Sequence, residues 1–202
     1  MITIIDYGLG NVLAFANSYK RLGVTVAIAR GPADLARSSK LILPGVGSFD
    51  HAMGLLNASG MRPALDELVI AKHVPVLGVC VGMQMLARAS EEGREQGLRW
   101  VDGDVCRLDS PGAHLPHMGW NDVVPRESGG GLFAGLESGA RFYFLHSYYF
   151  KTDREADVLA TAEYGAPFAC AVRSGNVFGV QFHPEKSHRF GMRLLQNFAV
   201  LH

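Results

Sequence analysis

Through residue 90, short continuous apolar runs alternate with stretches whose apolar residues recur every three or four positions, the pattern of buried strands separated by amphipathic helices. The first run is Ile2-Thr3-Ile4-Ile5. It breaks at Asp6-Tyr7-Gly8-Leu9-Gly10-Asn11, after which Val12, Ala16 and Tyr19 recur at helical spacing as far as a glycine stop at Gly23. Residues 24–29 and Leu41-Ile42-Leu43 read as the next strands, and residues 49–56 and 61–71 as helices. Val76, Leu77 and Val79 then form a buried strand after Pro75, and residues 83–89 continue at good helical propensity. Strand and helix in alternation predict an α/β fold with an open, mainly parallel central sheet flanked by helices, whose sites form beyond the carboxyl ends of the strands. After Gly93 the pattern changes. Residues 98–108, 120–124, 141–149, 158–163, 168–172 and 177–182 read as strands, several separated by turn signals, so the second half adds antiparallel strands. An amphipathic helix over residues 190–200 closes the chain. The ESGGG segment at 127–131 reads as a flexible loop within one domain spanning 1–202, not as a linker.

Composition narrows the class without naming it. With 202 residues and 48% hydrophobic content, the chain can bury a core large enough to fold without disulfides or metal. Lysine plus arginine equal aspartate plus glutamate at 19 each, which argues against a nucleic-acid partner. Three cysteines, Cys80, Cys106 and Cys170, are an odd number without C-x-x-C spacing, which points to a reducing compartment and away from a metal site. Cys106 and Cys170 fall in expected strands and read as packed side chains. No apolar run is long enough to span a bilayer and no leader pattern follows Met1, so a cytoplasmic protein with no membrane partner is expected.

Candidate chemistry collects at three loops. Gly78-Val79-Cys80-Val81-Gly82 has the form of a nucleophile elbow, in which glycines on either side let a strand and a helix approach closely around a strained turn. Cys80 then sits where a helix begins, and the unpaired N–H groups there favour a thiolate. A lone cysteine in an apolar run also reads as a small buried hydrophobe, and the glycines bring the two readings level. Pro44-Gly45-Val46-Gly47 ends a strand in a loop whose N–H groups can face a ligand. The glycines at 8 and 10 lack the third glycine of a dinucleotide fingerprint, and no acidic residue closes the second strand, so no cofactor is expected. In GVQFHPE (179–185), strand alternation predicts that His183 and Glu185 point the same way, so that the carboxylate orients the imidazole. His117 and His146 lie in aromatic-rich segments that line a site or an interface; His51, His73, His114, His188 and His202 carry no pattern and read as surface or loop residues.

With these loops in view, the chain resembles the class I (triad) glutamine amidotransferases. IDYGLGN (5–11), LPGVGSF (43–49), PVLGVCVGMQ (75–84), HMGWN (117–121), FLHSYY (144–149) and GVQFHPEKS (179–187) together look like the glutaminase subunit of imidazole glycerol phosphate synthase, and they span nearly the whole chain. The resemblance implies hydrolysis of glutamine to glutamate and ammonia. The ammonia passes to a cyclase subunit, in a heterodimer that makes imidazole glycerol phosphate and AICAR in histidine biosynthesis. It assigns Cys80 as nucleophile, His183 as proton relay and Glu185 as its orienting carboxylate, with the oxyanion held by N–H groups of Val81 and of the Gly45-Val46-Gly47 loop. Gln84, Glu92, Ser147 and Tyr148 match positions that grip the amino-acid end of glutamine, and Asn11, Trp120, Tyr143 and Lys186 match positions that face the synthase partner. Val81 stands where leucine is common, and GGGLFAGL at 129–136 is glycine-rich where a shorter loop is usual. Three rival readings share the fold: a free-standing γ-glutamyl cysteine hydrolase, a paralogue feeding ammonia to a sugar amination in surface-polysaccharide assembly, and a non-catalytic partner, against which the intact Cys80, His183 and Glu185 count.

Overall fold

The computed structural model describes residues 1–109, 112, 114–126 and 130–201. In the first half, β1 (Ile2–Ile5), α1 (Val12–Arg21), β2 (Val26–Ala29), β3 (Lys40–Gly45), α2 (Phe49–Ala58), α3 (Arg62–Asp66), β4 (Val76–Cys80) and α4 (Val81–Gln84) follow the predicted alternation. The second half contains β5 (Gly103–Arg107), β6 (His117–Asp122), β7 (Val124–Pro125), α5 (Gly130–Phe133), β8 (Arg141–His146), β9 (Tyr148–Thr152), β10 (Val158–Tyr164), β11 (Ala166–Ser174), β12 (Val177–Val180) and α6 (His188–Val200). Among the described residues, eight strands form one sheet in the order β2-β1-β3-β4-β12-β11-β10-β7. It is parallel from β2 to β12 and antiparallel from β12 to β7. The pairs β5–β9 and β6–β8 form two smaller antiparallel sheets.

Burial follows from this layering. β4 is buried along its whole length, so its sequence is a continuous apolar run. β8 covers the core on one face only: Phe142, Phe144 and His146 point inward while Arg141 and Leu145 are exposed, and the sequence alternates accordingly. β12 comes last in the chain among the strands, yet it inserts beside β4, with Gly179 opposite Gly78 and Val180 opposite Val79. That placement brings the segment after β12 to the carboxyl end of β4, where β3 also ends with Gly45 opposite Cys80.

Several expectations from the sequence are corrected, among them that of one strand over 141–149, which is the two strands β8 and β9. The helix expected over 83–89 stops after Gln84, because the carbonyls of Met85, Leu86 and Ala87 accept N–H groups from residues 98–101, not from the next helical turn. The same crossing shortens the strand expected over 98–108 to Gly103–Arg107. His183 and Glu185 do not lie on a strand: β12 ends at Val180, and the two residues are brought together by a single 3₁₀ turn, Pro184–Lys186. Residues 127–129 of the expected flexible loop and His202 lie outside the described residues.

Candidate active site

Cys80 ends β4 with φ 57° and ψ −116°, a conformation that costs an L residue roughly 1–3 kcal/mol and persists only where packing enforces it. The enforcement comes from glycines. A Cβ on Gly78 would lie 2.6 Å from the carbonyl oxygen of Gly82, and one on Gly82 would collide with the carbonyl of Leu43. The elbow is therefore pressed against the end of β3, which sets the Gly45-Val46-Gly47 loop beside Cys80. The Cys80 thiol donates to the carbonyl of Leu145 at 3.8 Å and receives the Gln181 amide at 3.8 Å.

His183 meets the elbow from β12. Its Nδ1 lies 2.9 Å from Oε1 of Glu185, and both side chains are nearly inaccessible. The backbone of this turn is fixed to β8: the His183 N–H donates to the Tyr143 carbonyl at 2.9 Å, while Ser187 Oγ donates to the His183 carbonyl at 2.6 Å and accepts the Tyr143 N–H at 3.0 Å. Burial alone would lower the His183 pKa, but hydrogen bonds and charge interactions with Cys80 and Glu185 outweigh it and raise the value to about 9. The imidazole is thus built to hold a proton next to the thiol.

A cleft of about 340 Å³ opens over this pair, at the low end of small-molecule sites. It is lined by Val46, Gly47 and Val81, by Gln84, Glu92, Ser147 and Tyr148, and by Cys80 and His183, while Glu185 stands behind His183. Gln84 is itself held, donating to the Tyr148 carbonyl and to Gln181 Oε1, both at 3.1 Å. Sequence reading did not single out Gln181, which contacts both Cys80 and Gln84 from a fully buried position. Nor did it single out Tyr7, whose hydroxyl donates to the Pro44 carbonyl at 2.7 Å and steadies the base of the Gly45-Val46-Gly47 loop.

Three of the four expected partner-facing residues cluster. Trp120 is 40% exposed, stacks on His188 at 5.3 Å and meets Tyr143 edge-on, and the Lys186 ammonium lies 5.8 Å above the Tyr143 ring. His188, read from sequence as patternless, joins this cluster. Asn11 is exposed at the start of α1, a helix that packs against the Pro184–Lys186 turn. On the same face of β6 and β8 the cross-strand pair Met118 and Leu145 is exposed.

His117 and His146 form a directed chain. His146 Nδ1 lies 2.8 Å from the Tyr148 carbonyl and must carry the hydrogen, so neutral His146 accepts at Nε2 from His117 Nδ1 at 2.9 Å. His117 Nε2 then accepts from the Asn121 amide at 3.2 Å. Burial pushes the His117 pKa down to about 4 and that of His146 down to about 3. Since both values are depressed below the unfolded value of about 6.5, the unfolded state binds more protons under acid conditions. The stability linked to the pair is complete above that value and is lost as pH falls from about 6.5 toward 4 and 3, by up to about 1.4 kcal/mol per pH unit for each group. Urea unfolding at pH 7.5, 6 and 5 is expected to show this loss, with a shallower slope in His117→Gln and His146→Gln. An unchanged slope in both variants would place the acid sensitivity elsewhere.

The family model described as glutamine amidotransferase class-I matches residues 3–201. The sequence is 59% identical over 205 residues to the imidazole glycerol phosphate synthase subunit HisH of Bdellovibrio bacteriovorus and 49% identical over 205 residues to that of Leptospira interrogans, covering 100% of each chain. Among solved structures it resembles one described as PurLQS from Thermotoga maritima, with TM-score 0.77, 16% identity and coverage of 98% of this chain and 96% of that one. It also resembles one described as a glutamine amidotransferase, with TM-score 0.73, 22% identity and coverage of 96% of this chain and 98% of that one. At those identities the structural likeness is one of fold.

Proposed function

Because this chain belongs to the class-I glutamine amidotransferases, and among them to the family of the imidazole glycerol phosphate synthase subunit HisH, we propose that it hydrolyses glutamine through Cys80, His183 and Glu185 and delivers the ammonia to a cyclase subunit. It is the glutamine amidotransferase subunit of that synthase, an enzyme of histidine biosynthesis. The observation that carries the mechanism is the meeting of an elbow cysteine with a carboxylate-backed imidazole in one cleft.

Cys80 gives its proton to His183 and attacks the side-chain carbonyl carbon of glutamine. The oxyanion is received by the N–H of Val81 and by the Gly45-Val46-Gly47 loop. As the tetrahedral species collapses, the carbon–nitrogen bond breaks and His183 protonates the departing ammonia. A water molecule, deprotonated by His183, then attacks the γ-glutamyl thioester, and glutamate leaves as the thiol is restored. Gln84, Glu92, Ser147 and Tyr148 hold the amino-acid end throughout. Among the described residues no helix is long and apolar enough to cross a membrane.

Ammonia released without an acceptor is lost as ammonium, so the isolated chain is expected to be a poor glutaminase. The switch lies in the oxyanion loop. Gly47 has φ +83°, and with glycine on both sides of Val46 a peptide can rotate to present its N–H to the oxyanion at little steric cost. Supplying one such donor is worth roughly 2.7–4 kcal/mol, or about two to three orders of magnitude in rate. The partner must bind the rotated state better than the resting one, and Trp120, Tyr143 and Lys186, with Met118 and Leu145 beside them, are the contacts through which it does so. Steady-state glutaminase rates are to be compared for the chain alone, with the cyclase, and with cyclase plus nucleotide acceptor. A stepwise rise is expected; equal rates in all three would favour the free-standing hydrolase.

A further inference from the structure

Glu92 lies on a segment, residues 91–97, that has no regular secondary structure and still has to place a carboxylate in the cleft. The ends of the segment are tied down. Glu91 accepts the Arg107 N–H at 2.7 Å, and the Gly97 N–H donates to the Arg88 carbonyl at 2.9 Å. Its middle is held from outside, by one side chain of the first turn of α2. Asp50 Oδ1 accepts the N–H groups of Arg94 and Glu95, each at 3.0 Å, and Oδ2 accepts the Arg94 N–H at 2.9 Å. The clasp is reciprocal, since Oε2 of Glu92 accepts the N–H of Phe49 at 2.8 Å. Two adjacent residues of α2 therefore grip the segment, one through a carboxylate and one through a backbone donor. Gly93 makes room for it, because a Cβ there would run into the Asp50 carboxylate.

We propose that Asp50 is a positioning residue for substrate affinity: by holding the N–H groups of Arg94 and Glu95 it keeps Glu92 facing the cleft, where Glu92 receives the α-ammonium group of glutamine. This rests on the reading of Glu92 given above. The backbone up to Gly93 is also tied, since the Glu91 N–H donates to the Val105 carbonyl at 2.9 Å and the Glu92 N–H to Ser90 Oγ at 3.1 Å, but at Arg94 and Glu95 the tie is the half-buried Asp50 carboxylate, and hydrogen bonds to a charged acceptor are among the stronger ones. Without them the segment samples states in which Glu92 points elsewhere, and the apparent affinity falls by the fraction of time lost. Chemistry at Cys80 is untouched, since the elbow is supported by β3 and β4.

The experiment uses the complex of this chain with its cyclase and acceptor. Asp50→Ala is expected to raise KM for glutamine about tenfold with kcat changed by less than about twofold, and Asp50→Asn, which retains one acceptor oxygen, to fall between it and the parent. Two reagents separate positioning from general damage. Inactivation by a chloroketone analogue of glutamine, which carries the α-ammonium group, should slow in proportion to the rise in KM, while alkylation of Cys80 by iodoacetamide, which has no amino-acid end, should keep its rate. Gly93→Ala disturbs the clasp from the other side and should show the same selectivity if Asp50→Ala does not fold. Glu92→Gln is the control for the underlying reading. If Glu92→Gln raises KM and Asp50→Ala does not, or if Asp50→Ala slows both reagents equally, the role given to Asp50 is overturned. If Glu92→Gln leaves KM unchanged, the assignment of Glu92 to the ammonium fails first and the role of Asp50 falls with it.

Discussion

Cys80→Ala and Cys80→Ser are expected to lower glutamate release by at least about four orders of magnitude while leaving a folded chain that still binds glutamine. Cys80 is the one cysteine whose sulfur faces the cleft, and it does so from a strained backbone that the neighbouring glycines impose. The other two thiols are poor competitors. Cys170 is fully buried in β11, and burial drives its pKa far above the ordinary thiol range. Cys106 in β5 is half-buried, and its pKa is raised, first by burial and then by the nearby Glu91 carboxylate. A diazoketone or chloroketone shaped like glutamine is therefore expected to label Cys80 and spare Cys106 and Cys170, read out by peptide mass mapping. Binding should survive the substitution because Gln84, Glu92, Ser147 and Tyr148 line the cleft independently of the sulfur. Turnover by the alanine variant, or earlier labelling at either of the other cysteines, would sink the assignment.

The second large effect is at the relay. His183→Ala is expected to reduce the rate by about four orders of magnitude or more, and Glu185→Gln by clearly less, because the amide still supplies an acceptor at the position of Oε1 while the base itself remains. The charge is what the amide lacks. Removing it takes away one of the two influences that raise the His183 pKa to about 9, so the Glu185→Gln variant should also show an alkaline limb of its rate profile displaced to lower pH. The double variant is expected to be no slower than His183→Ala alone, since a carboxylate with no imidazole to orient has nothing left to contribute. Losses that simply multiply would mean that the two residues act separately. The same raised pKa carries a stability consequence of the opposite sense to that of the buried histidine pair. The contribution of His183 is full below the unfolded pKa of about 6.5 and is lost as pH rises through about 9.

The parallel half of the fold was legible because β1, β3 and β4 are buried on both sides and leave uninterrupted apolar runs, and because glycine marks each loop at their carboxyl ends. Cys80 was legible from its glycines, whose spacing answers to a close approach of backbones that the structure displays. His183 and Glu185 were correctly paired on a mistaken premise: two residues apart reads as one strand face, but the strand ends at Val180 and Pro184 starts a 3₁₀ turn that brings the same two groups within 2.9 Å. The continuous strand expected over 141–149 is two strands, since Ser147 breaks between β8 and β9 and sends each to a different partner. Helical propensity at 85–89 lost to hydrogen bonds from residues 98–101, a contact between two coil segments that leaves no periodicity to read. Asp50 and Gln181 were missed for a related reason. Each acts on atoms far away in sequence, and neither residue type in its own neighbourhood differs from a solvated helix-start acid or a strand-end amide.

The neighbours of β4 come from very different times in the life of the chain. β3 is made before it, but β12 is made only after about a hundred further residues, and until then one side of β4 is an unpaired edge with apolar side chains on both faces. At translation rates of roughly 5–20 residues per second that interval lasts about 5–20 s. A nascent chain thus carries a bare β-edge of the kind that pairs with other chains, and the insertion of β12 removes that edge in the same step that delivers His183 to Cys80. Closing the sheet and bringing His183 to Cys80 are one event, so on the proposed mechanism a chain arrested before residue 177 is at once sticky and unable to process glutamine.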